Sequence, residues 1–324
     1  MPDCVRGRFA PTPSGRMHPG NVLCALLAWL SARSQGGRIV LRIEDLDPLR
    51  CPRGNADLLE RDLAWLGLDW DEGGSRGGAH APYYQSECTP IYGTALEILQ
   101  KQGLIYPCFC SRSQLHAASA PHLSDSQVIY DGRCRRLTAD QVQQLSKTHR
   151  PALRLCVPNE TISFTDSCQG NYSENLAKEC GDFLVRRSDG VFAYQLAVVV
   201  DDARMGVTEV VRGRDLLSSV PQQLYLYRLL GYRPPQYRHI PLLLAPDGRR
   251  LSKRDRDLDL GSLRQSLSNA RPLIGALAHL CGLLPQPEPV TPQELLPQFH
   301  WELVRRESIC VPEKWYTTPP TEWL

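Results

Sequence analysis

The sequence predicts an α/β fold in which a parallel sheet is split by an inserted module and followed by a short helical C-terminal region. Strand and helix patterns alternate over the first ninety residues, and an α/β pattern returns after residue 182. Residues 104–182 between them carry a cysteine cluster, a polar loop and short alternating strands. We therefore divide the chain into residues 1–103, the inserted module at 104–182, residues 183–255 and the C-terminal region at 256–324.

The first half opens with a strand at Val5 to Phe9, a loop rich in proline, serine and glycine, and a helix with leucines at helical spacing. The next strand spans Arg38 to Ile43 and leads into the acidic run Glu44 to Asp47. A second helix begins near Asn55, which we interpret as its N-cap. This order predicts a parallel sheet with a site at the carboxyl ends of its strands.

The later elements follow in the same way. A short strand is predicted at Leu153 to Val157 in the inserted module. The α/β pattern resumes with the apolar runs Phe192 to Val200 and Gly206 to Val211, and a helix runs from Pro221 to a stop at Gly231. In the helical C-terminal region, Thr291 to Glu294 has the pattern of a capping box.

Composition excludes several classes of protein. The chain has 324 residues, 42% of them hydrophobic and 22% charged, which is typical of a globular fold and not of a disordered or collagen-like one. No apolar run approaches the ~18 residues of a membrane span, and the N-terminus lacks the apolar core of a secretory signal. We therefore expect a cytoplasmic protein whose nine scattered cysteines are reduced. Because the formal charge is only +2, a nucleic acid would be held by local patches.

One loop, residues 8–21, lies directly between the first strand and the first helix. Free backbone N–H groups and the positive end of the dipole make a helix N-terminus a binding site for polyphosphates. The spacing matches neither a P-loop nor the GxGxxG pattern, so a different nucleotide-binding fold is implied. His18, taken alone, could equally be a capping histidine without a function.

A second segment, residues 242–254, joins a buried strand to a tight turn and a cationic loop, which alone would be interpreted as solvated surface. Together with the first loop, His18 to Asn21 and Arg250 to Arg254 resemble the HIGH and KMSKS signatures of the class I aminoacyl-tRNA synthetases. Leu41 to Pro48 and Val210 to Leu216 resemble segments of the glutamyl and glutaminyl branch.

The resemblance covers residues 5 to about 255 and implies a Rossmann-like catalytic domain that uses ATP with Mg²⁺. Asn21 replaces the second histidine of the strict signature, and Arg250 replaces the first lysine while keeping its charge. The implied reaction is attack of a carboxylate on the α-phosphate of ATP, with His18 and Lys253 stabilising the charge that develops. The ATP site is expected to contain His18, Gly20, Asn21, Ser252 and Lys253.

Recognition of an amino acid with two carboxylates requires two cationic or donor groups and one anion for the ammonium group. Arg8, Arg212 and Glu44 supply this set, each at the end of a predicted strand. The alternative is that Arg8 and Glu44 merely pair with each other. The expected glutamate site is Arg8, Phe9, Ala10, Pro11, Thr12, Glu44, Tyr194 and Arg212, with Tyr194 as a further donor to the substrate side chain.

Cys108, Cys110 and Cys134 lie within 27 residues and suit a tetrahedral structural zinc ion, which needs a fourth ligand. Resemblance to the glutamyl-queuosine branch of the family points to Tyr130, while His116 and His122 are chemical alternatives. The opposing interpretation is that the cysteines are simply buried, without a metal.

Resemblance to the glutamyl-queuosine branch extends over the whole chain and implies transfer of activated glutamate to queuosine at the wobble position of tRNA(Asp). After Arg254, about 70 residues remain, which we expect to be too few for a complete anticodon-binding domain. The expected partners are L-glutamate, ATP and the anticodon loop of tRNA(Asp), bound by a monomer. Two alternatives are a truncated enzyme that charges tRNA(Glu) and a non-catalytic tRNA-binding paralogue. The paralogue would be expected to lose His18, Glu44 or Lys253, and all three are present.

Overall fold

The computed structural model describes residues 4–111, 129–249, 251, 258–318 and 322–323. The helices in these ranges are α1 (Pro19–Ser34), α2 (Arg53–Leu66), α3 (Thr89–Lys101), α4 (Ala139–Ser146), α5 (Tyr194–Arg204), α6 (Val220–Leu230), α7 (Leu260–Ser266), α8 (Arg271–Cys281), α9 (Pro292–Leu295) and α10 (Lys314–Thr317). The strands are β1 (Arg6–Phe9), β2 (Arg38–Leu41), β3 (Glu72–Gly73), β4 (Ile105–Cys108), β5 (Ala152–Leu155), β6 (Thr161–Asp166), β7 (Gly170–Asn175), β8 (Phe183–Arg186), β9 (Glu209–Gly213), β10 (Gln236–Ile240), β11 (Leu243–Leu244) and β12 (Ile309–Cys310).

The central strands are parallel, as the sequence predicts. Strand β1 pairs with β2, which pairs with β3, and β9 pairs with β10. The two groups meet where the backbone N–H of Thr208 donates to the carbonyl of Arg6 at 2.9 Å, so that β1 lies beside β9. The strand order reverses between β1 and β9, and such a point opens a crevice at the carboxyl ends of the strands.

The described part of the inserted module contains two antiparallel units. Strands β4, β5 and β8 form one sheet, and β6 and β7 form a hairpin. Strand β8 follows residue 182, where we placed the return to the parallel-sheet domain, yet it pairs with β5 of the antiparallel sheet. The hairpin turn lies against β10, where the N–H of Ser167 donates to the carbonyl of Tyr237 at 3.0 Å.

The helical C-terminal region shares a core with the first half of the chain. Leu26 and Leu30 of α1 belong to the same buried apolar cluster as Leu273 and Leu277 of α8. Burial of these side chains stabilises the packing by roughly 1.5–3 kcal/mol each. The C-terminal helices therefore support the helix whose N-terminus borders the crevice.

Two local predictions are confirmed. Helix α6 ends at Gly231, whose φ of 69° places it in the left-handed conformation that favours glycine at this position. The side chain of Thr291 accepts from the N–H of Glu294, and the Glu294 side chain accepts from the N–H of Thr291, which completes the capping box of α9.

Two others are wrong in detail. Helix α2 begins at Arg53 with Pro52 at the N-cap, and no side chain caps it. The side-chain amide of Asn55 instead donates to the carbonyl of Pro13 at 2.9 Å and anchors the loop after β1. Strand β2 ends at Leu41, while Ile43 forms an isolated parallel bridge with Tyr84.

None of the helices in the described ranges combines the length and apolar character that crossing a membrane requires.

Candidate active site

A cavity of about 450 Å³ opens at the carboxyl ends of the parallel strands. Its wall includes the loop after β1, the start of α1 and the segments that follow β2, β9 and β10. Every described residue that the sequence assigned to the ATP and glutamate sites lines this cavity: Arg8, Phe9, Ala10, Pro11, Thr12, His18, Gly20, Asn21, Glu44, Tyr194 and Arg212. The other two assigned residues, Ser252 and Lys253, lie outside the described residues.

His18 combines the capping and cavity-lining roles that the sequence left as alternatives. It is the N-cap of α1, where its Nδ1 accepts from the N–H of Gly20 at 3.1 Å and its own N–H donates to Asn21 Oδ1 at 3.2 Å. Because Nδ1 accepts, a neutral His18 carries its proton on Nε2. A Cβ on Gly20 would lie 2.9 Å from His18 Cε1, so glycine leaves space for the ring.

Glu44 lies in the cavity wall beside a buried arginine that our site prediction omitted. Arg42 Nη2 donates to Glu44 Oε1 at 3.1 Å, and Arg42 Nη1 donates to Asp202 on α5. Burial raises the pKa of Glu44, whereas the charge of Arg42 lowers it, and burial prevails. A substrate ammonium group beside Glu44 would stabilise its ionised form.

The two predicted carboxylate-binding arginines are both held by protein acceptors. Arg8 donates from Nη1 to the carbonyl of Val211 at 3.1 Å, and its Nε lies 3.7 Å from Asp202 Oδ1. Arg212 donates to Tyr194 Oη at 3.4 Å. Glu44 pairs with Arg42, so the alternative in which Arg8 and Glu44 pair only with each other is not supported. Since Arg8 and Arg212 are only 5% and 4% exposed, their attraction for a carboxylate is weakly screened by water.

Three polar residues that support the cavity, Arg42, Asp202 and His239, were not predicted from the sequence. Arg42 and Asp202 pair with each other behind Glu44, and His239 accepts a hydrogen bond from Arg212 Nε at 2.9 Å. The sequence offered a signal for each of two of them. Arg42 precedes Glu44 by two residues, and His239 directly precedes the apolar run that leads to the cationic loop. Nothing in the sequence marked Asp202 as a partner of Arg42 or Arg8.

The cysteine cluster consists of Cys108, Cys110 and Cys134 with Tyr130 beside them. The three sulfurs lie within 4.8 Å of one another, and Cys110 Sγ is 3.5 Å from Cys134 Sγ. The hydroxyl of Tyr130 lies 3.6 Å from Cys108 Sγ and 3.8 Å from Cys110 Sγ. With zinc–sulfur bonds of about 2.3 Å, a tetrahedral ion would separate its ligand sulfurs by about 3.8 Å, so this spacing fits zinc.

Arg154 adds a positive charge to the cysteine cluster. Its Nε donates to Cys108 Sγ at 3.3 Å, and its guanidinium carbon lies 3.8 Å from the centre of the Tyr130 ring. Burial raises the pKa of the Cys108 thiol, but the hydrogen bonds from Arg154 and the Cys110 backbone outweigh burial and hold it below its ordinary value. A thiolate is the form that binds metal. His116 and His122, the alternative fourth ligands, lie outside the described residues.

Comparison with known proteins agrees with this geometry. Residues 4–304 match the family model for the catalytic domain of class I tRNA synthetases of the E and Q type. The chain belongs to this family. It is 51% identical over 309 residues to a glutamyl-Q tRNA(Asp) synthetase of Symbiobacterium thermophilum, covering 94% of this chain and 95% of that protein. A glutamyl-Q tRNA(Asp) synthetase of Nitratidesulfovibrio vulgaris is 48% identical over 90% of each chain.

Longer members of the family are also similar. A glutamate–tRNA ligase of a Sulfurihydrogenibium species is 37% identical, and the match covers 93% of this chain but 63% of that protein. The crystal structure of a glutamate tRNA ligase from Elizabethkingia meningosepticum in complex with its amino acid superposes with a TM-score of 0.82 at 29% identity, covering 97% of this chain and 68% of that one. As a class I synthetase the chain is a ligase, and its α/β fold is that of the family's catalytic domain.

Proposed function

We propose that this enzyme activates L-glutamate with ATP and Mg²⁺ and transfers the glutamyl group to queuosine at the wobble position of tRNA(Asp). One observation carries the first half of the proposal. Arg8, Arg212 and Glu44 converge in one cavity beside His18 at the N-terminus of α1. Two arginines and one carboxylate complement an amino acid that has two carboxylates and one ammonium group.

In the proposed activation step, an oxygen of the glutamate α-carboxylate attacks the α-phosphorus of ATP. The bond to the leaving oxygen breaks, and the products are glutamyl-adenylate and pyrophosphate. Glu44 holds the ammonium group, and Arg8 and Arg212 hold the carboxylates with Tyr194 as a further donor. Holding the attacking oxygen in line with the phosphorus removes much of the entropic cost of the reaction.

The phosphates are expected at the start of α1, where free N–H groups and the helix dipole favour negative charge. His18, with its proton on Nε2, is the donor we assign to the phosphoryl oxygens, and Gly20 and Asn21 lie beside it in the cavity wall. Lys253, which lies outside the described residues, is assigned to the same charge. Mg²⁺ would arrive with ATP and neutralise part of the phosphate charge, and we assign it no protein ligand.

The second half of the proposal concerns the acceptor. Relatives at 51% and 48% identity over nearly their whole length are glutamyl-Q tRNA(Asp) synthetases, which supports queuosine as the acceptor. In the transfer step the queuosine base attacks the activated carbonyl and AMP leaves. An anticodon loop suits such a site because its splayed bases can be stacked and hydrogen-bonded one at a time. Arg214, which is partly buried, and Arg249, which is exposed, are candidates to hold its phosphates. Arg256, a third candidate, lies outside the described residues.

We also infer one structural zinc ion per chain, held by Cys108, Cys110, Cys134 and Tyr130. The spacing of the three sulfurs and the Tyr130 hydroxyl supports this ligand set. Zinc would contribute folding energy to the inserted module. The ligands themselves take no part in the activation step.

Pyrophosphate exchange in the absence of tRNA tests activation. We expect exchange with L-glutamate and none with L-glutamine or L-aspartate, because an amide lacks the second charge and aspartate is too short to reach both arginines. Glu44→Gln should abolish exchange, whereas Glu160→Gln, which changes an exposed carboxylate paired with Arg228, should leave it unchanged. Folded wild-type protein that shows no exchange with glutamate would contradict the proposal.

Transfer of radiolabelled glutamate tests the acceptor. We expect label on tRNA(Asp) from cells that make queuosine and none on tRNA from cells that cannot, with the labelled nucleoside identified by mass analysis. Equal labelling of both preparations, abolished by periodate oxidation of the terminal ribose in queuosine-free tRNA(Glu), would instead identify an enzyme that charges tRNA(Glu).

A further inference from the structure

Asp166 lies at the end of β6, in the inserted module, and is not part of the cavity wall. It is 1% exposed, and both oxygens of its carboxylate form hydrogen bonds. Oδ1 accepts from the backbone N–H groups of Cys168 at 2.9 Å and Gln169 at 2.8 Å. Oδ2 lies 2.6 Å from Nδ1 of His239 on β10. The backbone of His239 also donates to Oδ1, at 3.1 Å, so the carboxylate is fixed in one orientation.

His239 connects this carboxylate to the cavity. Its Nε2 lies 2.9 Å from Arg212 Nε, and an arginine Nε–H can only donate. Nε2 must therefore accept, which leaves the imidazole proton on Nδ1, where it is donated to Asp166. Burial and the charge of Arg212 lower the pKa of His239, in agreement with a neutral ring. The three side chains thus form a directed chain of hydrogen bonds from Arg212 to Asp166.

The contacts of Arg212 show what this chain of bonds achieves. Its Nη2 donates to the carbonyl of Leu216 at 3.2 Å, and its Nη1 donates to Tyr194 Oη at 3.4 Å. Together with the bond from Nε to His239, these contacts fix the rotation of the guanidinium plane. Arg212 lines the cavity, so the orientation of this plane determines which N–H groups meet a ligand there.

We propose that Asp166 and His239 are positioning residues: by orienting Arg212, they set the affinity of the cavity for a carboxylate of the substrate glutamate. The inference rests on the proposed activation of glutamate. It also gives the inserted hairpin a role in the amino-acid site, since Asp166 belongs to β6, whereas Arg212 and His239 belong to strands of the parallel sheet.

Asp166→Asn tests the proposal without changing the shape of the side chain. The backbone donors hold the Asn carbonyl at the Oδ1 position, so the amide Nδ2 must face His239 Nδ1 and donate to it. The imidazole proton then moves to Nε2, where it faces the Nε–H of Arg212. Two donors face each other, so the hydrogen bond between His239 and Arg212 is lost. We expect the KM for glutamate to rise about 10- to 100-fold, the range for loss of one hydrogen bond to a charged group. The KM for ATP should change less than about twofold, because the phosphate site is untouched.

Two substitutions of His239 test whether a hydrogen-bond acceptor for Arg212 is enough to keep the affinity for glutamate. His239→Gln can present its Oε1 near the former Nε2 position and accept from Arg212, whereas His239→Leu cannot. We expect a KM for glutamate within a few-fold of wild type for Gln and raised about 10- to 100-fold for Leu. Asp182→Asn is a matched control: Asp182 is also buried in the module and accepts a backbone N–H, from Val157 at 2.7 Å, but it does not contact Arg212 or His239.

The readouts are pyrophosphate exchange at varied glutamate and ATP, and the ¹⁵N NMR shifts of His239, which report which ring nitrogen carries the proton. A raised glutamate KM, an unchanged ATP KM and a switched tautomer in Asp166→Asn support the proposal. A switched tautomer with a wild-type glutamate KM overturns it, as does an equal loss for both substrates accompanied by a lower melting temperature. Wild-type protein that fails to activate glutamate would instead refute the proposed function on which the inference rests.

Discussion

The cavity and the cysteine cluster both gather polar side chains from distant parts of the chain, but they are held in different ways. Arg8 and Arg212 in the cavity wall, and Arg42 behind Glu44, each donate to a protein acceptor, so their orientations are set by the protein. In the cysteine cluster, electron-rich sulfur and oxygen atoms face one another, and Arg154 is the cation that contacts them in the described part of the module. Preorganisation by hydrogen bonds prepares a site for a transient ligand, whereas three converging cysteine sulfurs suit the resident zinc ion that we propose.

This difference predicts that a substitution in one region leaves the function of the other region intact. A change in the cavity should weaken substrate binding or catalysis without loss of metal, and a change in the cysteine cluster should release metal and loosen the module. The hairpin that carries Asp166 belongs to the same inserted module as the cysteine cluster, but Asp166 itself contacts His239 of β10. The following changes test this independence, beginning with the largest expected effect.

Loss of zinc should have the largest effect. We expect Cys110→Ser to lower the zinc content from one ion per chain to none and to increase hydrogen exchange in β4 and β5, because structural zinc binding is worth on the order of 10 kcal/mol of folding energy. Glutamate activation should be retained, whereas use of tRNA should be impaired. Metal analysis of protein purified without added zinc gives the result. Cys156→Ser, in the same module but outside the cluster, is the control, and full zinc content in Cys110→Ser would show the ligand assignment to be wrong.

Removal of the assigned cationic donor should have the next largest effect. Lys253→Ala should lose about 2–4 kcal/mol of transition-state stabilisation in glutamate activation, the usual scale for one preorganised donor. The zinc content should not change. Pyrophosphate exchange measures the loss, with Lys101→Ala at an exposed helix end as the control. A kcat within twofold of wild type would remove Lys253 from the proposed mechanism.

Arg154→Met tests whether removing the cation beside the cysteines affects zinc binding alone. Loss of the N–H donor to Cys108 should weaken zinc binding about 10- to 100-fold, as is usual for partners of metal ligands, while the glutamate KM stays unchanged. Competition with a chromophoric chelator measures the affinity. The exposed Arg136 provides the control Arg136→Met. If Arg154→Met binds zinc as tightly as wild type, the charge of Arg154 does not stabilise the thiolates.

The smallest effect concerns pH. Burial lowers the pKa of His239, with Arg212 and Arg8 acting in the same direction and Asp166 opposing them. The unfolded chain therefore binds a proton to this side chain at a higher pH than the folded protein does. His239 should cause stability to decline as the pH falls below about 6.5, the ordinary pKa of histidine. Urea denaturation between about pH 7.5 and 5.5 should show a shallower decline for His239→Gln, and identical slopes would contradict this sign.

Residues that lie near a strand end or a helix start could be predicted from the sequence. Arg8, Glu44 and Arg212 follow or end parallel strands, and such ends share one edge of the sheet, so their meeting in one cavity follows from strand order. His18 was predictable because it directly precedes the proline that begins α1. The three cysteines were predictable as a group because β4 and a nearby turn bring them together within a short stretch of chain.

The sequence by itself thus determined the α/β class, the capping pattern of α9 and the meeting of Arg8, Glu44 and Arg212 in the cavity, because each depends on local periodicity or on the edge that parallel strands share. Tertiary structure alone decided the partners of those residues. Arg42 meets Asp202 across 160 positions, and His239 meets Asp166 across 73. Pairings at that separation depend on how the inserted hairpin and α5 pack on the sheet, and a buried charge accepts whichever oppositely charged or hydrogen-bonding group that packing brings within reach.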